Sequence, residues 1–460
     1  YRAYLKSKWR SVHEYFGSPG QFANFMKEVQ RKGLGPEVKF AVQTIGQMAD
    51  FSGEFTPVAS GGEGIQLICH LDVRLHAGQG ANRPVLQEVG DSMTSVAWDT
   101  WVGMSPKLAS RLGVRRNDVV EVQGPAGKFE AAVYPLPGFH ENVITVPRGN
   151  GHDKSQGTIE GGNGINPLVT LAKAQDQNTG MPVTAGQAVQ VRKTGRRYRL
   201  AAMQKQNDIA NRTDIVKKIS VDKVNATASK TRDLFDVPDL YPDLTKGDYQ
   251  WRMSIDLTKC TGCSACMVAC SIENNVPQIG REQILMGREM HWIRLDRYFS
   301  GEVENPSVTF QPMMCQQCNH APCEAVCPVF ATVHDDEGIN TQTYNRCVGT
   351  RYCANACPYK VRRFNWWTHK WGSMEKEEFN RNPRAMNPDV TVRTRGVMEK
   401  CTFCIQRLKE AKYNAKLDGR DNIVDGAVQT ACQQVCPTSA ISFGDSNDPN
   451  AKITKERQQY

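Results

Sequence analysis

The sequence predicts an α+β protein in which a closed β-barrel precedes a second, cysteine-rich α+β domain. Short apolar runs broken by glycine and proline fill residues 62–200, and alternation within runs of four to eight residues is typical of barrel strands. Fifteen of the sixteen cysteines lie further along, between Cys260 and Cys436. At 460 residues the chain is long enough for two or three domains.

The cysteines of the second domain form four groups with regular spacing. They are Cys260, Cys263, Cys266 and Cys270; Cys315, Cys318, Cys323 and Cys327; Cys347, Cys353 and Cys357; and Cys401, Cys404, Cys432 and Cys436. The first group has the C-x2-C-x2-C-x3-C spacing of bacterial ferredoxins, in which three thiolates hold one iron–sulfur cube and the fourth binds another cluster. Proline follows the last cysteine of the other three groups, as that pattern expects, whereas Ser271 follows Cys270. Four such groups predict four iron–sulfur clusters.

Structural zinc and disulfides are the alternative uses of these cysteines. Zinc prefers separated C-x2-C pairs closed at four ligands, and disulfide frameworks belong to small, loop-rich secreted domains. The groups here add a further cysteine four residues after another, and they are confined to one half of a long chain. The spacing therefore favours iron–sulfur clusters. Cys69 stands apart, and we expect it to be buried as a small apolar side chain.

The third group lacks one cysteine. It reads CVGTRYCANACP from Cys347 to Pro358, with Thr350 at the position of the second cysteine. A hydroxyl is a much poorer iron ligand than a thiolate, so this site is predicted to hold a [3Fe-4S] cluster. With three [4Fe-4S] cubes elsewhere, about 15 irons are expected per chain. The alternative is a cube completed by water, by hydroxide or by the threonine itself.

Charge and hydropathy narrow the function classes. The formal net charge is +9, but four clusters with their thiolates would contribute roughly −8 and leave the protein near +1. The basic excess therefore compensates for the clusters, and no basic-aromatic module indicates nucleic-acid binding. No apolar run reaches the length of a transmembrane helix. The chain begins at Tyr1 without an apolar leader, so we expect a processed chain or part of a longer polypeptide.

Local patterns divide the chain into five parts. Residues 1–61 are predicted to form a helical segment, 62–200 the barrel, 201–248 a polar linker, 249–445 the cluster domain and 446–460 a tail. The predicted strands are Ile65–Cys69, Asp118–Gly124, Lys128–Gly138, Asn142–Gly151 and, at the entry to the cluster domain, Trp251–Asp256.

Two helices are predicted from their sequence patterns. Ser105 and Pro106 suit the N-cap and first position of a helix within Met104–Val114, and Ile405–Leu417 has a charged outer face. The Gly-rich stretch Gly157–Pro167 either turns corners or cradles a phosphate, although it lacks the Lys-Ser/Thr of a P-loop. The aromatic group Trp366, Trp367 and Trp371 either packs a core, shields a cluster or forms a docking surface.

With these groups in place, the second half resembles the four-cluster electron-transfer subunits of complex iron–sulfur molybdoenzymes, such as dimethyl sulfoxide, polysulfide and nitrate reductases. The matching segments are Ile255–Asn275, Phe310–Pro328, Cys347–Trp366 and Lys400–Asp445. The barrel region resembles the pterin-binding double-psi barrel of molybdopterin oxidoreductases through Ala81–Lys128, Val146–His152 and Gly162–Leu168. The fusion of both parts is similar to the B subunit of alternative complex III, and the chain is expected to be its C-terminal portion.

The resemblance also implies which cysteines share a cluster. In matching positions, three sets would hold [4Fe-4S] clusters and one a [3Fe-4S] cluster. The sets are Cys260, Cys263, Cys266 and Cys436; Cys401, Cys404, Cys432 and Cys270; Cys315, Cys318, Cys323 and Cys357; and, for the three-iron cluster, Cys347, Cys353 and Cys327.

The resemblance implies an electron-transfer subunit, without a bond-making active site of its own, in a membrane-bound quinol oxidoreductase. Electrons from quinol would enter at the [3Fe-4S] cluster and pass to cytochrome c subunits. An integral membrane quinol-binding subunit would hold the chain peripherally, on the periplasmic face of a bacterial inner membrane, and no molybdopterin is expected. The second hypothesis is an active molybdenum or tungsten oxidoreductase fused to its electron-transfer part, and a zinc-stabilised scaffold is the third.

Overall fold

A computed structural model describes residues 8–11, 13–14, 21–32, 64–152, 164–172, 181–205, 247–367 and 386–459, with single positions between 209 and 218. The chain divides into two compact units, Tyr1–Thr56 and Pro57–Tyr460. Most of the Gly-rich stretch, most of the predicted linker and Trp371 lie outside the described residues.

The first unit contains one long described helix, Phe22–Lys32 (α1). Phe25 on this helix is buried, and its ring lies 6.1 Å from that of Trp9 and 5.0 Å from that of His13. The helix therefore forms around a small aromatic cluster, as the amphipathic pattern of this segment predicts.

The second unit begins with a closed six-stranded barrel. Its strands are β1 (Ile65–Leu71), β2 (Trp101–Met104), β3 (Asp118–Gln123), β4 (Lys128–Pro135), β5 (Val143–Arg148) and β6 (Ala185–Arg197). They follow the order β1-β5-β2-β4-β3-β6, and β6 pairs with β1 to close the barrel. The β1–β5 and β2–β4 pairs are parallel and the others antiparallel. The predicted closed barrel is confirmed, whereas its double-psi connectivity stays a prediction.

Apolar side chains fill the barrel. Leu67, Val102, Val120 and Ile144 are fully buried there, and each stabilises the fold by roughly 1.5–3 kcal/mol relative to an exposed side chain. Cys69 belongs to the same core with 1% exposure. Burial raises the pKa of its thiol to about 12, so Cys69 stays neutral and acts as the small apolar side chain that was predicted.

Among the described residues, three short helical segments lie between the barrel strands in the sequence. They are α2 (Pro84–Glu88), α3 (Pro106–Arg111) and a 3-10 turn at Pro167–Thr170. The Ser105 hydroxyl accepts a hydrogen bond from the Leu108 N–H at 3.0 Å, and Pro106 occupies the first turn. The predicted cap of this helix is therefore confirmed.

The cluster domain is built from short helices and two-stranded sheets. Its strands are β7 (Trp251–Ile255), β8 (Arg294–Gly301), β9 (Pro306–Met313), β10 (Thr332–His334), β11 (Asn340–Gln342), β12 (Arg363–Phe364), β13 (Met398–Glu399) and β14 (Ile441–Asp445). Its helices are α4 (Ala265–Glu273), α5 (Arg281–Leu285), α6 (Pro322–Ala325), α7 (Tyr352–Ala356), α8 (Ile405–Leu417), α9 (Ala431–Gln434) and α10 (Lys452–Gln459), with a 3-10 turn at Tyr344–Arg346.

The beginning and the end of this domain pair with each other. β7 and β14 are antiparallel, with Trp251 opposite Asp445 and Ile255 opposite Ile441. The rings of Trp251 and Phe443 stack across the pair with centroids 5.5 Å apart. This sheet therefore brings the first and last cysteine groups to one place.

Buried polar contacts join the barrel to the cluster domain within the second unit. The Glu88 carboxylate, 1% exposed, accepts hydrogen bonds from the N–H groups of Ile279 and Gly280 at 2.9–3.0 Å. Arg281 forms a salt bridge with Asp99 at 2.6 Å. Because a buried carboxylate is costly to leave unpaired, Glu88 fixes the barrel against the loop that enters α5.

Candidate iron–sulfur sites

Cysteines from different groups meet around three cavities. Cys260, Cys263, Cys266 and Cys436 line the first cavity. The second is lined by Cys270, Cys401, Cys404 and Cys432. The third is lined by Cys327, Cys347 and Cys353, together with Thr350. Each cavity thus combines thiols from two sequence groups, as in ferredoxins, where the last cysteine of a run crosses to another cluster.

The remaining four cysteines also neighbour one another. Burial, then the thiols of Cys315 and Cys357, raise the pKa of Cys318. Burial raises the pKa of Cys323, and Cys315 raises it to a smaller extent, whereas the positive charge of Arg362 lowers it. Cys315, Cys318, Cys323 and Cys357 therefore form a further set of adjacent thiols, which we call the third set. We call Cys327, Cys347 and Cys353 with Thr350 the Thr350 site.

A left-handed residue shapes the loop of every group. Gly262, Gln317, Gly349 and Phe403 have φ of 70°, 48°, 73° and 53°, and each directly precedes the second ligand position of its group. Such a residue turns the chain sharply within one step. At Gly262 the glycine is also needed for space, because a Cβ there would lie 2.7 Å from the Phe310 ring.

Thr350 lies at the second-cysteine position of a loop with this same backbone. Gly349 and Arg351, at φ 73° and 63°, match Gly262 and Ser264, at φ 70° and 61°. The side chain between the first pair is Thr350 and that between the second pair is Cys263. The loop around the third cavity therefore keeps the shape of a ligand-bearing loop while offering a hydroxyl in place of a thiol.

Backbone N–H groups donate to several of the sulfur atoms. Ala331 N lies 3.2 Å from Cys327 Sγ and Ala440 N lies 3.3 Å from Cys436 Sγ. Burial opposes ionisation of both thiols, but the surrounding N–H groups outweigh it and lower their pKa below the usual value. These bonds stabilise negative charge on sulfur, which is one way in which proteins tune cluster potentials.

The most buried thiols need a cation to ionise. Burial raises the pKa of Cys266, Cys270 and Cys401, and it raises that of Cys432 to about 11. A metal ion supplies the positive charge that converts such thiols into thiolates. Thiol sets around cavities, with N–H donors aimed at sulfur, fit iron–sulfur clusters, whose ligands are thiolates.

Several side chains that contact cysteine sulfur were not predicted from the sequence, and three of them are Asn274, Arg362 and Thr430. Asn274 Nδ2 lies 3.6 Å from Cys270 Sγ, Arg362 Nη1 lies 3.5 Å from Cys323 Sγ, and Thr430 Oγ1 lies 3.3 Å from Cys432 Sγ. Asn274 follows Cys270 by four residues at the end of α4, so helical spacing could have indicated it. Arg362 approaches from a distant loop and carries no local signal.

The four thiol sets lie in series. Cys432 contributes to the raised pKa of Cys266, joining the first set to the second. The Cys315 thiol raises the pKa of Cys401, so the second thiol set neighbours the third. The Arg362 guanidinium acts on both Cys353 and Cys323, joining the third set to the Thr350 site. The protein therefore holds a path of neighbouring sites rather than four isolated ones.

One end of this path is apolar at the surface. Phe330, Val348 and Tyr352 are 66%, 65% and 58% exposed, and all belong to the loops that carry Cys327, Cys347 and Cys353. Next to them Trp366 lies between the guanidinium groups of Arg288 and Arg351, at 4.3 and 4.8 Å from its ring. We call Phe330, Val348 and Tyr352 the apolar end.

The fold and the thiol sets define an iron–sulfur protein with ferredoxin-like cluster sites, and comparison with known families agrees. The family described as "4Fe-4S dicluster domain" matches residues 259–331 and 306–389. The family described as "Molydopterin dinucleotide binding domain" matches residues 74–186, within the barrel region. The predicted iron–sulfur chemistry and the likeness of the barrel to molybdopterin oxidoreductases are thereby confirmed.

Curated relatives match the cluster domain. The menaquinone reductase iron–sulfur cluster-binding subunit of Nitratidesulfovibrio vulgaris is 43% identical over 210 residues, 44% of this chain and 78% of that protein. The Hdr-like menaquinol oxidoreductase iron–sulfur subunit 1 of Archaeoglobus fulgidus is 33% identical, over 46% of this chain and 77% of that protein. The arsenate respiratory reductase iron–sulfur subunit of Shewanella sp. strain ANA-3 is 30% identical, over 44% and 85%. The chain belongs to the family of iron–sulfur electron-transfer subunits that these proteins represent.

A solved structure, acetylene hydratase from Pelobacter acetylenicus, aligns with 28% of this chain and 18% of its own at 18% identity, with a TM-score of 0.24. Within the described ranges, every helix is too short or too polar to cross a membrane.

Proposed function

We propose that this chain is the electron-transfer subunit of a membrane-bound quinol oxidoreductase similar to alternative complex III, and that it has no bond-making active site of its own. One observation carries the proposal: four thiol sets lie in series, and the series ends beneath the apolar end. Two relatives are named for reactions of menaquinone or menaquinol, which supports a quinone as the substrate of the complex.

The proposed ligand sets are those that the resemblance implies. Three [4Fe-4S] clusters would be held by Cys260, Cys263, Cys266 and Cys436; by Cys270, Cys401, Cys404 and Cys432; and by Cys315, Cys318, Cys323 and Cys357. Cys327, Cys347 and Cys353 would hold a [3Fe-4S] cluster, because Thr350 supplies a hydroxyl where the loop expects a thiolate. When bound, these groups supply one-electron transfer, and the protein sets their spacing and potentials.

The proposed direction of electron flow is from quinol at the apolar end into the series of sites. Quinol gives up two electrons and two protons to become quinone, and the electrons enter singly at the Thr350 site. An integral membrane subunit that binds quinol is the proposed partner at Phe330, Val348 and Tyr352, because exposed apolar patches indicate interaction sites. Cytochrome c subunits would accept electrons at the opposite end, on the periplasmic face of the membrane.

Metal analysis and quinol reduction of the purified complex test this function together. We expect about 15 irons per chain, no stoichiometric molybdenum or zinc, and reduction of the protein-bound iron by a menaquinol analogue. Without its membrane subunit the same chain should keep its iron and lose reduction by quinol. Reduction by quinol at an unchanged rate in the absence of that subunit would refute the proposed partner.

An active molybdopterin oxidoreductase is the second candidate, and the family match over residues 74–186 favours it. In that case the barrel would bind part of a pterin cofactor, and the cluster domain would serve an active site formed with other protein. Stoichiometric molybdenum or tungsten, with a pterin released on denaturation, would select this function over the first.

A further inference from the structure

Three buried cations of the cluster domain have no salt-bridge partner among the described residues, and two of them, Lys400 and Arg362, lie beside thiol sets. Lys400 is fully buried and Arg362 is 6% exposed. The third, Arg297, is 1% exposed and donates hydrogen bonds to Gln204 and Tyr134. Two other buried arginines are paired: Arg393 lies 2.8 Å from Glu399, and Arg74 lies 2.6 Å from Asp72. Within the described part of the chain, neither Lys400 nor Arg362 has a carboxylate oxygen within salt-bridge distance, which is 4.0 Å.

Arg362 lies between the third thiol set and the Thr350 site. Its Nη1 is 3.5 Å from Cys323 Sγ and 3.4 Å from Asn340 Oδ1, and its Nη2 donates to Gln342 Oε1. The same side chain lines the cavity of Cys347 and Cys353. Its buried Nε–H finds no acceptor among the described residues. The guanidinium therefore faces the thiols of both sites.

Lys400 lies between the second and third thiol sets. Its ammonium donates to the backbone oxygens of Asn340 and Cys401, and its charge acts on the Cys323 thiol. Asn340 therefore connects the two cations, since its backbone oxygen binds Lys400 and its side-chain oxygen binds Arg362. The carboxylate nearest in this network, Glu324, bonds to Asn340 Nδ2 and contacts His334 at 2.5 Å.

A buried cation is strongly destabilising unless a negative charge compensates it. The sites that Lys400 and Arg362 face would supply this negative charge. Each cluster with its thiolates carries about −2 when oxidised and gains one more negative charge on reduction. A fixed cation at short range stabilises the reduced form more than the oxidised form, so it raises the potential of the site.

We propose that Lys400 and Arg362 are positioning residues, and that each sets the reduction potentials of the two cluster sites that it faces. Lys400 acts at the junction of the Cys401 and Cys323 sets, and Arg362 acts at the junction of the Cys323 set and the Thr350 site. This rests on the ligand sets proposed above. Each cation stabilises the reduced form of both sites that it faces, whereas two reduced sites at one junction repel each other. The reduction potentials of the two sites at each junction are therefore coupled, and the state in which only one of the two sites is reduced is favoured.

Redox titration of the assembled complex, followed by electron paramagnetic resonance, tests the proposal. Arg362→Gln should lower the reduction potentials of the Cys323 set and of the Thr350 site. The equilibrium constant for reduction should fall at least tenfold, which is about 59 mV for a one-electron couple. Lys400→Met should shift the Cys401 and Cys323 sets instead and leave the Thr350 site unchanged. Both variants should leave the Cys260 set at its original potential.

Two control variants separate charge from structure. Arg362→Lys keeps the charge and should restore most of the potential lost in Arg362→Gln. Arg346→Gln removes an exposed cation beside Cys347, and solvent screening should leave every potential within about twofold in equilibrium constant. Iron content of each variant is measured in parallel, since the iron count of the unmutated complex tests the ligand sets independently.

Two results would overturn the proposal. One is an iron-replete Arg362→Gln complex whose potentials move by less than twofold. The other is an equal shift at all four sites, which would indicate a general loss of structure. If Arg362→Gln loses iron, Lys400→Met and Arg362→Lys decide: a shift confined to the two Lys400 neighbours supports the proposal, and no shift there rejects it.

Discussion

Replacing Thr350 by cysteine would supply the ligand that the third cavity lacks. The loop already has the required backbone, because Gly349 and Arg351 match the φ angles of Gly262 and Ser264 around Cys263. A cysteine at 350 therefore needs no backbone movement to direct its sulfur as Cys263 does. We expect the site to accept a fourth iron in the Thr350→Cys variant.

The expected changes are one iron and one unpaired spin per chain. Iron should rise from about 15 to about 16, because a three-iron cluster becomes a cube. Oxidised three-iron clusters are paramagnetic and oxidised cubes diamagnetic, so the signal of the oxidised protein should fall from about one spin per chain to none. The potential should also fall, since the added thiolate favours the oxidised state, and each tenfold loss in equilibrium constant is about 59 mV. Quinol oxidation should slow accordingly.

Iron analysis and electron paramagnetic resonance of the oxidised complex decide the outcome. Thr350→Val is the matched control, because it keeps the shape of threonine without its hydroxyl, and it should keep 15 irons and the signal. An unmutated protein that has about 16 irons and is silent when oxidised would falsify the three-iron assignment. Loss of one iron in Thr350→Val would then identify the threonine itself as the ligand.

Three further predictions concern stability and docking. His291 is 4% exposed and burial lowers its pKa to about 4, so stability should fall by up to about 3 kcal/mol as pH drops from about 6.5 to 4. His291→Gln should remove that part of the pH slope in thermal bleaching of the bound iron. Glu88→Ala removes the acceptor of the Ile279 and Gly280 N–H groups and of the Trp98 indole N–H and should cost about 2–4 kcal/mol. Loss of the exposed pair in Glu121→Ala should cost much less, and thermal midpoints compare the two variants. Val348→Glu should release the chain from membranes with its iron intact, whereas Val424→Glu, at a similarly exposed position, should not. Equal release by both variants would contradict docking at the apolar end.

Sequence patterns predicted the barrel strands that alternate or are strongly apolar, and they missed the others for physical reasons. The four predicted strands β1, β3, β4 and β5 are present. β2, at Trp101–Met104, is buried at all four positions, so it shows no alternation. β6, at Ala185–Arg197, is mostly polar and partly exposed. Its place between β3 and β1 depends on pairing over long separations, which local periodicity does not encode.

The cluster sites were more predictable, because cysteine spacing is a local property. Helix α8 was predicted at its observed bounds, Ile405–Leu417, and Thr350 lies at the loop position that the spacing indicated. Arg362 and Lys400 were not predicted, since a lone basic residue usually lies on the surface. Their burial depends on sites contributed by distant segments, so only the folded chain identifies them.

The pairing of β7 with β14 has a consequence for how the protein is made. The first cavity needs Cys260 at one end of the domain and Cys436 at the other, and the strands beside them meet only when Ile441–Asp445 has formed. A ribosome that adds 5–20 residues per second needs roughly 10–35 s to cover that distance. During this time the chain contains three thiols of the site but not the fourth, Cys436. The full set of four thiols at this site is therefore complete only after Cys436 has been synthesised, and a chain truncated before Cys436 has only three of them.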